Sequence, residues 1–457
     1  MIETIHIYHT NDLHSHLENW PTIHQFLSER RKSHSSNDSI LTLDIGDHID
    51  RSNVYTEGLL GKGNVQLLNK AKYDYVTIGN NEGITLSHEE LNTLYEQADF
   101  EVIISNFVDR NGNIPAWVQP YKIHITPSGI RIGIVAATAD YGIYYENLGW
   151  HVQDPIIRLT QVSKELRAQV DVIICMSHLG KTQDEIISKD IPEIDLILGA
   201  HTHHFFEEGK WIGNTLQAAA GKYGAYVGYV TLDFHHISRS VVKKAAVLYP
   251  VENLSKPKND LEQQDSWQEK GFQALAEPVF CNPLELSKDW FNPSSLSKFF
   301  GEALLAYTGA DCAMFPAGIF LSDLPKGEIK AIDLHQCLPH PINPCIITLS
   351  GAALLEVVTL SKNDKWPLLE VKGLGFRGKY LGSILFEHLR EVEGAIYINE
   401  KPLNIYASYK LATLDMFTFG YFFPSLKTME KQYFMPEVIR DIVKWYGLRL
   451  NRESRSY

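Results

Sequence analysis

Seven short runs of β-branched and aliphatic residues punctuate the first 250 positions: TIHIYHT, SILTLDI, YDYVTI, FEVIIS, RIGIVAAT, VDVIICM and IDLILGA. Several are nearly unbroken apolar strings rather than alternations, the pattern of strands covered on both faces. The stretches between them are longer and helical or irregular. WPTIHQFLSERR, for instance, has amphipathic spacing and leads into Arg30, Arg31 and Lys32, the charge that suits a solvated helix C-terminus. This alternation predicts an α/β sandwich. After Pro250 the pattern changes: VENLSKPKNDLEQQDSWQEKGFQALAEP is polar, charged and poor in β-branched residues, so it predicts a linker running into a connecting helix. Beyond it, helix-like stretches (SSLSKFFGEALLAYTG, GAALLEVVTLS, PEVIRDIVKWYGLRL) mix with short strands in an α+β pattern. The expected organisation is a first domain over residues 1–252, a linker and connecting helix over 253–284, and a smaller domain over 285–457.

Composition narrows the function classes. At 457 residues the chain exceeds the size at which one hydrophobic core stops growing, which agrees with two domains. A formal net charge of −13 argues against a duplex nucleic-acid partner, which requires a basic surface. The opening MIETIHIYHT reads as a strand and lacks the regions of a signal peptide, and no apolar run approaches the roughly 20 residues that span a bilayer. The expectation is therefore a cytoplasmic protein with no membrane partner. Five cysteines (Cys175, Cys281, Cys312, Cys337, Cys345) form an odd set without a CxxC pair, which predicts free, mostly buried thiols rather than disulfides or a thiolate metal site. Sequence carries no signal for oligomeric state.

The chemistry lies in short motifs at the predicted C-terminal ends of the strands, where open α/β sheets place functional loops. They are NDLHSH with Asp12 and His14, DIGDHID with Asp47, IGNNEG with Asn80, MSHLG with His178, and GAHTHH with His201 and His203. A one-residue spacing lets two donors turn toward one point as the backbone leaves a strand, a carboxylate can bridge two cations, and neutral imidazoles complete the shells. Two such cations about 3.5 to 4 Å apart acidify a shared water and brace a phosphoryl group for in-line attack. A lone histidine after a strand is more often a satisfied or solvated side chain, and His6, His9, His124, His151, His235, His236 and His335 are assigned to that class; Asp44 is expected to order the loop before Asp47. The ordered set across five strand ends is what departs from chance.

In order and spacing these motifs resemble the calcineurin-like metallophosphoesterases, in particular the 5'-nucleotidase and UDP-sugar hydrolase branch. The resemblance runs through TLQAAAGKYGAYVGYVTLDF, and more faintly through residues 285–457, as in TLSGAALLEVV and ASYKLATLDMFTFGYFFP. It implies a four-layer αββα sandwich followed by a 5'-nucleotidase C-terminal-like substrate domain. It also implies two divalent metal ions (Mn, Zn, Fe or Co), one held by Asp12, His14, Asp47 and His203 and the other by Asp47, Asn80, His178 and His201, with Asp47 as the bridge. The substrate implied is a small phosphate ester or anhydride, with nucleotides and nucleotide-sugars as candidates. Three departures matter. The family's catalytic histidine after the metal-binding asparagine is Asn81 here, and the aspartate that orients it is Ile84. The family's substrate-binding arginine is Phe320. Of its two stacking aromatics one falls at His340, and Phe423 alone keeps its place. Asp47, Asn80 and Asn81 are thus the expected catalytic set and Phe423 and His340 the expected substrate contacts, with His48, His88 and His204, read as surface histidines, the nearest alternative proton donors in sequence. The alternative is a catalytically weak metal- and nucleotide-binding regulatory protein that keeps the scaffold with a degenerate active site.

Overall fold

Each of the seven apolar runs contains a strand in the computed structural model, which describes residues 2–35 and 38–454. β1 (Ile2–Thr10), β2 (Ser39–Asp44) and β3 (Tyr75–Val76) lie side by side in parallel and continue into Glu101–Ile103. A long hairpin, Tyr226–His235 with Ser240–Pro250, pairs antiparallel with the other edge of β1, and Val118–Gln119 beside Glu101–Ile103 brings this sheet to seven strands. A second, six-stranded sheet is built around the parallel strands Arg131–Thr138, Val172–His178 and Leu196–Gly199.

The apolar strings follow from this layering. Ile5, Ile7, Leu41 and Leu43 of the first sheet share one core with Ile132, Ile134, Ile174 and Leu198 of the second. The opposite face of the second sheet places Val135, Ile173, Cys175 and Ile197 against Leu159, Val162, Leu166 and Ile187 of the helices Pro155–Arg167 and Lys181–Asp190. Since successive strand residues point to opposite faces, a strand with apolar cover on both sides has no polar position to spare. Helix α1 (Trp20–Ser33) covers the outer face of the first sheet with Trp20, Ile23, Phe26 and Leu27. The result is the four-layer αββα sandwich. At about 1.5–3 kcal/mol for each fully buried large aliphatic or aromatic side chain, these interfaces dominate the stability of the unit.

The contact pattern divides the chain into two units, Met1–Gly271 and Phe272–Tyr457. The segment read as a linker holds the helix Asp260–Ala274. Its Trp267 lies 6.4 Å from the Tyr55 ring, and Gly271 sits so close to Val54 that a Cβ there would meet backbone at 2.6 Å. The second unit is an α+β fold: a five-stranded sheet centred on Cys312–Pro316, Ser408–Leu414 and Pro344–Ser350, packed against the helices Ser295–Thr308 and Ile439–Ser454. All five cysteines are free thiols, four buried and Cys281 exposed. No helix among the described residues is long and apolar enough to cross a membrane.

Candidate metal centre

The loops that follow β1, β2 and β3 are tied to one another before any side chain is considered. Asp12 N–H donates to the Gly46 carbonyl at 3.0 Å, His14 N–H to Asp47 O at 2.9 Å and Ser15 N–H to His48 O at 3.0 Å, so the pairing of β1 with β2 carries on into the loops. Asp44 accepts from Thr10 Oγ1 at 2.6 Å and from Gly46 N–H at 3.1 Å, ordering the turn before Asp47. The turn then crosses closely over the loop after β3: a Cβ on Gly79 would fall 2.1 Å from Asp47 Oδ1 and 2.5 Å from His178 Cε1, and one on Gly46, at φ +88°, would fall 2.4 Å from Gly79 N.

Backbone strain is concentrated here. Asp12, His14, Asp47, His201 and His203 all have positive φ, between 48° and 72°. The left-handed region costs a non-glycine residue roughly 1–2 kcal/mol.

The donors meet in two overlapping groups, Asp12 with His14 and His203, and Asp12 with Asp47 and His178. His14 Nε2 lies 3.1 Å from His203 Nε2, 3.8 Å from Asp12 Oδ1 and 3.7 Å from Asp47 Oδ2. His178 Nε2 lies 3.5 Å from Asp47 Oδ2 and 4.0 Å from Asp12 Oδ1. Asn80 joins through its Oδ1, 3.0 Å from His201 Nδ1, and the His201 ring is centred 5.3 Å from that of His178. Asp47 does not face the group with both oxygens. Its Oδ1 accepts the Asn81 N–H at 2.7 Å, which leaves Oδ2 between the two histidines.

The donors suit divalent cations. His178 Nδ1 is 2.7 Å from the Ile45 carbonyl, and an N–H donated there directs Nε2 between two carboxylates, where a cation would displace its proton. Burial and the adjacent Asp47 charge push Asp12 up to about 7. Burial also opposes ionisation of Asp47, but the His178 charge beside it prevails and holds its carboxyl well below the ordinary range. For His178 burial is likewise overcome, by Asp47 and Asp12, which raise it to about 10. Burial lowers His201 and His203 to about 4, assisted by His178 and His14 respectively, which keeps both imidazoles in the neutral, coordinating form.

Three residues do work here that the motif reading did not assign. Glu82, from IGNNEG, accepts the N–H groups of Gly79 at 2.8 Å and of Asp47 and Ile49 at 3.0 Å, so one buried carboxylate fixes two loops. Asn11 donates to Asp12 Oδ2 and to Gly221 O, both at 2.7 Å. Tyr223 donates its N–H to Asp12 O at 2.7 Å and sets its ring edge-on to His14, centroids 5.8 Å apart. Glu82 and Asn11 had a sequence signal, their places beside Asn81 in IGNNEG and beside Asp12 in NDLHSH.

Comparison with known proteins gives this geometry a context. The calcineurin-like phosphoesterase family matches residues 5–205, and the 5'-nucleotidase C-terminal domain matches residues 274–421. An uncharacterized metallophosphoesterase of Bacillus subtilis, YunD, is 39% identical over 461 residues, covering 97% of this chain and 99% of its own. The chain is a calcineurin-like metallophosphoesterase. Among solved structures, the Haemophilus influenzae NAD nucleotidase superposes with a TM-score of 0.65 at 16% identity, over 98% of this chain and 97% of its own. A 5'-nucleotidase precursor of Thermus thermophilus gives 0.59 at 19% identity, over 98% and 97%. At these identities the likeness is one of fold.

This metallophosphoesterase departs from the sequence expectation in its substrate residues. Phe423 is fully buried, its ring 5.2 Å from both Phe417 and Trp366. His340 is also fully buried: it stacks on Phe376 at 5.2 Å, its Nε2 is 2.7 Å from Ile319 O, and its Nδ1 accepts the Arg377 N–H at 2.8 Å. A stacking platform needs an open ring face. Both are therefore corrected from substrate contacts to core groups. Phe320 is equally enclosed, against Phe300 and Phe315, so that position is part of the core. Of the three alternative proton donors, His88 is an exposed histidine as expected, stacked on Trp150 at 4.0 Å, and His204 is half-buried, 2.9 Å from Thr202 Oγ1, whereas His48 is corrected to a buried group beside Trp20.

Proposed function

We propose that this chain is a two-metal phosphoesterase that hydrolyses a small phosphate ester or anhydride, with nucleotides and nucleotide-sugars as the leading substrate class. The observation that carries the reading is the convergence of carboxylate, imidazole and amide donors from five strand ends around Asp12 and Asp47. In this reading Asp12, His14, Asp47 and His203 hold one cation and Asp47, Asn80, His178 and His201 the other, with Mn, Zn, Fe and Co all compatible with the mixed oxygen and nitrogen donors. Cations bound there supply a water acidic enough to attack near neutral pH and polarise the phosphoryl oxygens. The protein's share is orientation. Asn81 N–H and Glu82 hold Asp47 and its loop, Asn11 and the His201 N–H hold Asp12, and the Ile45 carbonyl aims His178.

Asn81 shapes the substrate preference. Its Nδ2 donates to Ile49 O at 2.8 Å and lies 3.0 Å from His14 Nδ1, and an amide has no proton to release to a leaving group. Substrates whose leaving group is already stable, such as diphosphates and aryl phosphates, are favoured. The test is a phosphatase and phosphodiesterase screen of Mn²⁺- or Zn²⁺-loaded protein beside Asp47→Asn, with turnover expected in the wild type and lost by at least about 10² in the variant. No turnover of any aryl phosphate or nucleotide, or near-wild-type rates in Asp47→Asn, would refute the reading. The same tethered Asn81 favours a second reading, a weakly catalytic metal- and nucleotide-binding regulator; a nucleotide that raises the melting temperature without being hydrolysed would select it.

A further inference from the structure

On β1, Ile5 and Ile7 point into the core between the sheets, so alternation turns His6 and Tyr8 to the face covered by α1. His34 is the residue that ends α1, and Asp38 immediately precedes β2. These two and His6 come together. The His6 and His34 rings are centred 4.2 Å apart and tilted by 43°, His34 Nδ1 is 3.5 Å from Asp38 Oδ2, and one donor atom from each of the three lies within 4.8 Å of the others.

We propose that His6, His34 and Asp38 form a separate binding site for a single divalent transition-metal ion of the zinc class. Two imidazoles and one carboxylate are a donor set for Zn²⁺, Co²⁺ or Ni²⁺ rather than for Ca²⁺ or Mg²⁺, and three protein ligands leave a fourth position to water. The support around the donors is the second observation. His6 Nδ1 is 2.7 Å from Tyr229 OH and His34 Nε2 is 3.0 Å from Tyr8 OH, so each ring has one nitrogen backed by a phenol and the other left for a cation. Asp38 is fixed by Ser35, whose N–H and Oγ–H both donate to it at 2.9 Å. An ion there clips the end of α1 to β1 and to the start of β2. It shares no ligand with the cage around Asp12 and Asp47.

Zn²⁺ titration calorimetry of chelator-stripped full-length protein tests this. His34→Gln and Asp38→Asn should each bind one tight equivalent fewer than wild type, tight meaning a Kd below about 1 μM. Asp47→Asn should retain the equivalent that His34→Gln removes, which keeps the result independent of the active-site reading. Asp38→Asn keeps an acceptor for Ser35 and so guards against misfolding of the histidine variant, with helix content by circular dichroism as the check. Equal numbers of tight equivalents in wild type, His34→Gln and Asp38→Asn overturn the proposal, as does a site that fills only at millimolar Zn²⁺.

Discussion

Asn81 stands where the family resemblance implies a catalytic histidine. Its backbone N–H orients Asp47, while its side chain is spent on Ile49 O and His14. Restoring an ionisable group tests what was lost. Asn81→His should raise turnover of alkyl phosphates relative to aryl phosphates, by up to roughly 10² to 10⁴, since only a poor leaving group needs the proton. The alkyl-to-aryl ratio of kcat/KM is the measurement, and an unchanged ratio would mean that proton supply does not limit the reaction. The metal-ligand candidates were legible at this scale because Asp-x-His, Gly-Asp, Gly-Asn and His-x-His each follow an apolar run whose end can be read locally. His340 and Phe423 were not legible in the same way. Whether an aromatic ring is open or enclosed depends on Phe376, Phe417 and Trp366, which come from other parts of the chain.

At the scale of elements, the site is a set of strand ends bent into left-handed turns. Two glycines permit the turns to touch. Gly79 has no room for a Cβ, because the space is occupied by Asp47 Oδ1 and the His178 ring. Gly79→Ala should therefore displace the Asp47 carboxylate and cost at least about 10² in kcat, together with roughly 1–3 kcal/mol of stability from overpacking. Urea denaturation and steady-state kinetics on the same variant separate the two effects, and a fully active Gly79→Ala would mean that the loops slide past each other freely. The sequence reading located these glycines but not their contact, which arises only when β2 and β3 pair.

At the scale of the whole molecule, two measurements report on charge buried in the two units. A cation that binds only the folded form adds RT ln(1 + [L]/Kd), about 2.7 kcal/mol at a hundredfold excess over Kd. A chelator should accordingly lower the melting temperature of wild type and lower that of Asp12→Asn/Asp47→Asn by less; equal shifts would place the stabilising ion elsewhere. In the second unit burial pushes Asp415 up to about 7, against hydrogen bonds from the Asn343 and Met416 backbone. The folded form then keeps a proton that the unfolded chain releases above about 4, so this contribution is complete below pH 4 and is lost as pH rises through about 7. Asp415→Asn should flatten that part of the stability profile, by up to about 1.4 kcal/mol per pH unit, in denaturant titrations between pH 5 and 8. A slope identical to wild type would mean that Asp415 does not titrate there.

The sequence by itself determined the layering and the residue types offered at the strand ends. A strand buried on both faces must be apolar throughout, and hard-oxygen and imidazole donors at strand ends retain their residue types whatever the packing. Tertiary structure alone decided which donors share a point, which oxygen of Asp47 faces inward, that Glu82 braces two loops, and that His6 adjoins the His34 and Asp38 pair. Such proximity is set by sheet pairing and helix packing between remote segments, and no local pattern of residues encodes it.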